Sequence, residues 1–351
     1  MKVDFIIVGQ GLAGTLLASE LIRRNKTLMV FDDPDQSSSS EVAAGLINPV
    51  VFRRMTKSWL VDEAFPQMES TIRNLEELLQ AQLYYPGKML KILDEADCVF
   101  WKEKVFTNQL ENYLNAEPIK SFRNDCITDR FSFGCVNKSG RLDIQKLISL
   151  FAEFLNQQNS IRKEKFYFEK LTFNSELVKY EEILAGKIIF GEGPAAIKNP
   201  LFERLKFKHS KGELLELKIP ELHLNEILNG EVFVMPAEDD WYKIGATYTW
   251  DELNLEATDS ARDDLFAKLK RIISANPTEI IQKAGVRPTM HDRKPVIGLH
   301  PENPQVGIFN GLGSKGVLLG PYFACQFADF LCGNLHVINS EVNIQRYFSK
   351  I

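Results

Sequence analysis

Two glycine-rich segments, one near each end of the 351-residue chain, have the residue types and spacing of cofactor-binding turns. The first, GQGLAG over residues 9–14, is a G-x-G-x-x-G turn. Gly9 permits a tight turn, Gly11 lets a pyrophosphate approach the backbone, and Gly14 lets a helix and a strand pack closely. A helix that starts here presents free N–H groups and a partial positive charge to a phosphate. The residues predicted to bind a dinucleotide are Gly9, Gly11, Leu12, Ala13 and Gly14.

The elements around this turn follow the order that a nucleotide-binding unit requires. An apolar strand is predicted over residues 3–8, a helix over 15–24 and a second strand over 27–31. An acid about 20 residues beyond the glycines usually holds a ribose hydroxyl. Asp32 is predicted to do so because it directly follows the second apolar run, with Asp33 as the alternative.

The second glycine turn, GLGSKG over residues 311–316, again opens an apolar helix and follows a predicted strand end. A second helix N-terminus indicates a second anionic centre. A reduced flavin has such a centre at its N1–C2=O edge, where positive potential favours reduction, whereas NAD would need only the first turn. The pattern therefore favours FAD over NAD, with predicted contacts from Gly311, Gly313, Ser314, Lys315 and Gly316.

Arg287 is a further candidate for chemistry, because Gly285 and Pro288 constrain the backbone on both sides of it. One interpretation is a structural salt bridge. The other is a guanidinium fork that binds a substrate carboxylate, the geometry that arginine suits best. The residues alone leave both open.

Composition limits the partners and the compartment. A net charge of −5 gives no global field that attracts nucleic acid, although the stretch RRMTK, with Arg53 and Arg54, leaves room for a local basic patch. No stretch approaches the ~20 apolar residues of a membrane span, so we expect no membrane partner. Five widely spaced cysteines argue against disulfides and zinc and fit a reducing cytoplasm. The five histidines show no ligand spacing, so we predict no metal.

Helical and strand patterns alternate through the rest of the chain. Helices are predicted over residues 65–82, 94–115, 143–158 and 259–276. Strands are predicted over residues 183–190, 206–219 and 231–249, the last two with antiparallel alternation. The length suggests two domains or one large composite unit.

The motifs also resemble a family. GQGLAG with Asp32, AAGLINP, SGRLD, GEG, KGE, IGAT, GVRP, DRKPVIG and NGLGSKG occur in the order of D-amino-acid-oxidase-type flavoproteins. That family includes D-amino-acid, glycine and sarcosine oxidases, and the FAD domain of the bacterial bifunctional enzyme that makes 5-methylaminomethyluridine in tRNA. The resemblance spans nearly the whole chain; its motifs are specific for the family and not for the substrate.

The resemblance implies an α/β (α+β composite) fold: a Rossmann-type FAD-binding domain interleaved with an antiparallel-sheet substrate domain. The FAD-binding domain is expected at residues 1–65, 140–200 and 275–351, and the substrate-binding domain at 66–139 and 201–274.

The resemblance also implies roles for individual residues. The family's carboxylate-binding arginine falls on Arg287, and Lys315 lies where sarcosine oxidases place a carboxylate-binding lysine. The segment with Ala44 and Gly45 is expected on the isoalloxazine, and Gly193 at the cofactor. The segment FGEGPAA departs from the family's A-x-G-x-W by placing a glutamate near the cofactor. The G-x-G-x-K stretch has no cysteine, so we expect noncovalent FAD.

The implied activity is oxidation of a primary or secondary amine that carries a carboxylate, with hydride transfer to flavin N5 and hydrolysis of the imine. One alternative is removal of the carboxymethyl group from a modified tRNA wobble uridine, which GLGSKG and RRMTK favour and the net charge opposes. Another is a noncatalytic flavin-binding protein, suggested only by GEGP. The expected partner is a small-molecule amine; the sequence predicts neither the electron acceptor nor the oligomeric state.

Overall fold

The structure, a computed structural model, describes residues 1–36, 38–120, 122, 124–128 and 131–348. The helices within these ranges are α1 Leu12–Arg23, α2 Ser39–Val42, α3 Val61–Leu79, α4 Glu95–Thr107, α5 Ile144–Gln157, α6 Asp259–Leu269 and α7 Gly316–Leu331. The first nine strands are β1 Lys2–Val8, β2 Leu28–Phe31, β3 Leu46–Ile47, β4 Val50–Val51, β5 Thr56–Lys57, β6 Tyr84–Leu93, β7 Ser132–Leu142, β8 Ile161–Arg162 and β9 Leu171–Phe173. The others are β10 Val178–Tyr180, β11 Ile183–Phe190, β12 Ser210–Lys218, β13 Ile227–Asn229, β14 Phe233–Pro236, β15 Trp241–Gly245, β16 Glu279–Arg287, β17 Val296–His300 and β18 Asn303–Asn310.

The first large sheet has the strand order β17-β18-β11-β1-β2-β8, and its central pairs are parallel. The apolar run Phe5–Val8 of β1 is buried, as expected for a parallel strand covered on both faces. The carboxyl ends of β1, β2 and β11 meet at one edge, the usual place for a ligand crevice in such sheets. The mixed α/β fold with a Rossmann-type sheet is therefore confirmed.

The second large sheet has the order β16-β12-β15-β14-β13-β6-β7-β3 and is antiparallel except for the pair β13–β6. Alternate residues along its strands are buried in one apolar cluster, including Leu215, Leu217, Tyr242 and Ile244. Because successive side chains point to opposite faces, the residues between them face the other way. That other face carries Gly212 and Gly245, which line the cavity described below.

Two short segments cross between the predicted domains. Leu46–Ile47 (β3) and Glu279–Arg287 (β16) lie in the second sheet, although the expected boundaries assign both to the FAD-binding domain. The boundaries themselves stay a prediction.

The first and last long elements pack together. Arg24, just after α1, donates from Nε to Asp329 Oδ1 in α7 at 2.8 Å, and Gly320 gives α7 room to approach Leu16 of α1. This contact brings the two glycine turns to the same side of the first sheet, although about 300 residues separate them in the chain.

Two kinds of feature are absent from the described residues. None of the described helices is long and apolar enough to cross a membrane. Within the same ranges, no group of three or more His, Cys, Asp or Glu side chains is arranged to hold a metal ion.

Candidate functional site

One cavity of about 860 Å³ connects both glycine turns with the second sheet, and its volume is typical of ligand pockets. Most of the site residues predicted from the sequence line it: Gly9, Gly11, Leu12, Ala13, Asp32, Asp33, Ala44, Gly45, Gly193, Arg287, Gly313, Ser314, Lys315 and Gly316. Gly14 and Gly311 do not line it. A Cβ at Gly14 would overlap the carbonyl oxygen of Gly9, so this glycine serves the packing of α1 on β1.

Three serines at the start of α2, which lie beside the N-terminus of α1, were not among the residues predicted from the sequence. Ser38, Ser39 and Ser40 line the cavity beside the first glycine turn. The Leu12 N–H donates to Ser40 Oγ at 3.0 Å, and the Ser40 N–H donates to Ser38 Oγ at 3.2 Å. The available signal was the serine run directly after the second strand of the nucleotide-binding unit.

Asp32 lies immediately after β2 with its carboxylate at the cavity. Its Oδ1 accepts the Gln10 N–H at 2.8 Å, and burial raises the pKa of the carboxyl group. No described donor bonds Oδ2, which leaves that oxygen for a hydroxyl of a ligand. Phe31, Phe166 and Phe168 form an apolar wall beside it. Free N–H groups, an acid and an aromatic wall in this arrangement fit the adenosine diphosphate half of FAD.

Glu192 is a half-buried residue just after the end of β11, and it lines the same cavity. Its Oε2 accepts a hydrogen bond from Asn199 Nδ2 at 2.7 Å. Burial raises the pKa of Glu192 to about 7, which the bond from Asn199 opposes. Among the described residues no charged neighbour contributes to this shift. The departure of GEGP from the family pattern therefore places a proton-binding group beside the cofactor site.

Replacing Glu192 with glutamine should stabilise the FAD-free protein at high pH. The carboxyl group binds its proton more tightly in the folded chain than in the unfolded chain. The free energy of unfolding therefore falls as the pH rises from about 4.5 to about 7 and is flat above. Glutamine does not titrate. The free energy of unfolding of E192Q should therefore exceed that of the parent by about 3 kcal/mol above pH ~8, and the two values should approach each other below pH ~5. Denaturant unfolding at both pH values measures this.

The control for this variant is Glu164→Gln, in a half-exposed cavity-lining residue that pairs with Arg162 at 3.6 Å. Its free energy of unfolding should change by less than about 1 kcal/mol at either pH. A difference between E192Q and the parent that does not depend on pH would contradict the raised pKa of Glu192.

Arg287 is the last residue of β16, and its guanidinium lies between two neighbours. A Cβ at Gly212 of the adjacent strand β12 would overlap the guanidinium, so glycine is required for this approach. On another side, the guanidinium carbon lies 4.0 Å from the ring centroid of Tyr248, a cation–π distance. The guanidinium donates to the carbonyl oxygens of Lys211 at 3.2 Å and Thr247 at 3.3 Å. Backbone and ring thus hold it in the cavity wall.

No described carboxylate accompanies this cation. Burial lowers the pKa of Arg287, and the interaction that opposes this is with Tyr248 rather than with an aspartate or glutamate. The structural salt bridge that the sequence left open is therefore absent among the described residues. The guanidinium N–H donors that the carbonyl oxygens of Lys211 and Thr247 do not occupy are available to an anionic ligand.

Lys315 lines the cavity from the turn before α7. Its ammonium donates to the Asn48 carbonyl at 3.0 Å and to Ser58 Oγ at 3.0 Å. Burial lowers its pKa to about 8. Since an ammonium has three donors, one remains for a ligand. The role of Lys315 in carboxylate binding stays a prediction, because the bonds in the structure hold the segment after Gly45.

Known proteins resemble the chain over most of its length. A glycine oxidase of Bacillus licheniformis is 28% identical over 353 residues, which covers 95% of this chain and 94% of the relative. The solved structure of an iminodiacetate oxidase from Chelativorans sp. BNC1 superposes with a TM-score of 0.82 at 17% identity, over 97% and 98% of the two chains. The second likeness shows a shared fold.

A third relative is longer than this chain. The tRNA 5-methylaminomethyl-2-thiouridine biosynthesis bifunctional protein of Marinobacter nauticus is 26% identical over 153 residues, which is 40% of this chain and only 24% of the relative. The family model described as FAD dependent oxidoreductase matches residues 4–329. The resemblance drawn from the motifs is thereby confirmed: the chain belongs to the D-amino-acid-oxidase-type family of FAD-dependent oxidoreductases, and FAD is its cofactor.

Proposed function

We propose that the chain oxidises a primary or secondary amine that carries a carboxylate, such as an amino acid or an N-substituted glycine. The observation that carries this proposal is the Arg287 guanidinium, which lines the cavity without a described carboxylate partner. A partly buried cation is stabilised by a counter-charge, and a substrate carboxylate matches the fork of N–H donors. The similarity to a glycine oxidase, whose name denotes an amine with a carboxylate, supports the same substrate class.

Positioning is the main contribution of the chain's own residues. Arg287 binds the carboxylate and thereby fixes the neighbouring α-carbon, and the free N–H of Lys315 adds a second contact. Bound FAD supplies the acceptor for the hydride that leaves this carbon. The amine must be neutral so that its nitrogen lone pair can assist the departure of the hydride. Hydride transfer requires no protein base, and none of the described cavity-lining residues is a histidine. The imine product is hydrolysed by water to an oxo acid and a free amine.

The predicted contacts assign FAD to the two glycine turns. The β1–α1 turn and Asp32 hold the adenosine diphosphate half, while the turn before α7 and the segment with Ala44 and Gly45 hold the isoalloxazine. No cysteine is among the described residues that line the cavity, which supports noncovalent attachment.

An anaerobic absorbance scan with matched amines tests the proposal. The panel pairs each carboxylated amine with its decarboxylated counterpart: glycine with methylamine, and sarcosine with dimethylamine, alongside D- and L-amino acids. We expect the flavin absorbance to bleach with at least one carboxylated amine and not with its counterpart. Equal bleaching by both members of a pair would contradict the role of the carboxylate. A flavin that no amine bleaches would favour a noncatalytic flavin-binding protein.

A second candidate function is removal of the carboxymethyl group from a modified tRNA wobble uridine. The similarity to the bifunctional protein of Marinobacter nauticus favours it. Arg53 and Arg54 are exposed on the turn between β4 and β5 and do not line the cavity, so any contact with RNA would be outside it. Salt-sensitive binding of tRNA would support this function, because contacts with phosphates release counterions.

A further inference from the structure

Two neighbouring aromatic rings lie exposed at the rim of the cavity. Tyr248 and Trp250 are 52% and 53% exposed. Their ring centroids are 6.3 Å apart and their planes differ by 27°. Single exposed apolar side chains are ordinary, but adjacent large ones beside a cavity are typical of binding surfaces.

The backbone holds the two rings in place. Thr249, between them, forms two backbone hydrogen bonds with Lys211 of β12, at 2.8 Å and 3.0 Å. Residues on either side of such an extended position project to the same side. The Lys211 ammonium also donates to Asn254 Oδ1 at 2.7 Å, which fixes the segment further along. The backbone that carries the rings is therefore fixed by hydrogen bonds, which lowers the entropic cost of binding a ligand against them.

The pair begins at the Arg287 guanidinium. Tyr248 lines the cavity and lies against this guanidinium, with its ring centroid 4.0 Å from the guanidinium carbon. Trp250 lies next to Tyr248 and is not among the cavity-lining residues. A ligand anchored at Arg287 that extends past Tyr248 would therefore reach Trp250 at the surface.

We propose that Tyr248 and Trp250 form a subsite for a planar aromatic group on the substrate, carried by the amine nitrogen. This inference rests on the proposed function and narrows its substrate class to N-arylmethyl glycines. A ring attached to the α-carbon begins beside the carboxylate, where Tyr248 already covers the guanidinium. A ring attached to nitrogen begins further out, on the way to Trp250. Aromatic faces favour a planar ring over a saturated ring of similar size.

Turnover by the FAD-loaded enzyme tests the subsite. The substrates are N-benzylglycine, N-(cyclohexylmethyl)glycine and sarcosine, with phenylalanine as the compound that carries the ring on the α-carbon. We expect kcat/KM for N-benzylglycine to exceed that for the cyclohexylmethyl compound roughly tenfold. The ratio should fall to about one in Trp250→Leu. It should persist in Leu253→Ala, a control that changes another exposed apolar residue of the same segment.

Binding without turnover separates this inference from the proposed function. The probes are 4-phenylbutanoate and 4-cyclohexylbutanoate, which keep the carboxylate and the ring but replace the nitrogen with carbon. A roughly tenfold tighter Kd for the phenyl compound, lost in W250L, would support the subsite even if no amine bleaches the flavin. Equal Kd values would overturn the subsite even if sarcosine is oxidised. A higher kcat/KM for phenylalanine than for N-benzylglycine would overturn the inference that the aromatic group is carried by the amine nitrogen.

Discussion

Replacement of Arg287 with methionine should lower kcat/KM for the carboxylated amine about a thousandfold while FAD stays bound. The guanidinium fork is the group available to pair with the carboxylate, and truncating one partner of a buried charge pair costs ~2–5 kcal/mol. Methionine keeps much of the apolar contact with Tyr248 and removes the charge. Steady-state kinetics measures the loss, and the flavin absorbance per protein measures cofactor retention.

Two further variants show whether the loss in R287M comes from the charge and geometry of the guanidinium at this position. Arg287→Lys keeps the charge but not the bidentate geometry, so it should recover only part of the activity. Arg204→Met is the control, because Arg204 is exposed and its pair with Glu302 is 3.6 Å long; its kcat/KM should stay within about twofold of the parent's. An R287M enzyme with unchanged kcat/KM would refute the carboxylate role, as would an equal loss with the decarboxylated amine.

Local patterns predicted the nucleotide-binding unit well. The strand, turn, helix and second strand lie within two or three residues of the predicted bounds, because each has a continuous apolar run or a glycine requirement that neighbours in sequence determine. Asp143, a side chain that favours helix N-caps, accepts the Lys146 N–H at 3.0 Å at the start of α5.

The C-terminal end of one helix was predicted less well, because apolar residues that follow it are spaced like those of a helix but are not helical. The helix expected over residues 94–115 ends at Thr107, since Gln109 has a left-handed φ of 53°. Leu114, seven residues after the helix has ended, forms an isolated antiparallel bridge with Val136 of β7. Apolar residues in this segment look periodic in the sequence, but they pack on a strand rather than continue the helix.

The surroundings of Arg287 could not be derived from local pattern. Its neighbour Gly212 belongs to a motif 75 residues earlier, and β12 and β16 pair with Gly212 opposite Gly285. Neither alternation nor composition specifies which strands become neighbours. The family resemblance identified the GVRP and KGE motifs but did not show that they are in contact. The Arg287 guanidinium approaches the backbone of Gly212 so closely that a side chain would not fit, which explains the glycine of the KGE motif.

Replacement of Lys211 with methionine should cost about 3–5 kcal/mol of the free energy of unfolding, because it leaves a buried carboxylate without its cation. Lys211 and Glu213 are 2% and 3% exposed, and Lys211 Nζ lies 3.6 Å from Glu213 Oε1. Glu213 also accepts the Thr258 N–H at 2.8 Å and a bond from Gln282 at 2.8 Å. These bonds would remain in K211M and hold the carboxylate in its buried position.

The same strand supplies the control, and a double variant isolates the charge. Lys218→Met removes a partly exposed lysine of β12 that pairs with Glu279 at 3.1 Å, so its cost in the free energy of unfolding should stay below about 1 kcal/mol. Adding Glu213→Leu to K211M removes the unpaired charge and should recover part of the loss. Denaturant unfolding of the parent, K211M, the single variant Glu213→Leu and the double variant gives the coupling energy between Lys211 and Glu213. If K211M were no less stable than K218M, the ion pair between Lys211 and Glu213 would not contribute to stability. The backbone around Tyr248 would then be held by hydrogen bonds such as those between Lys211 and Thr249.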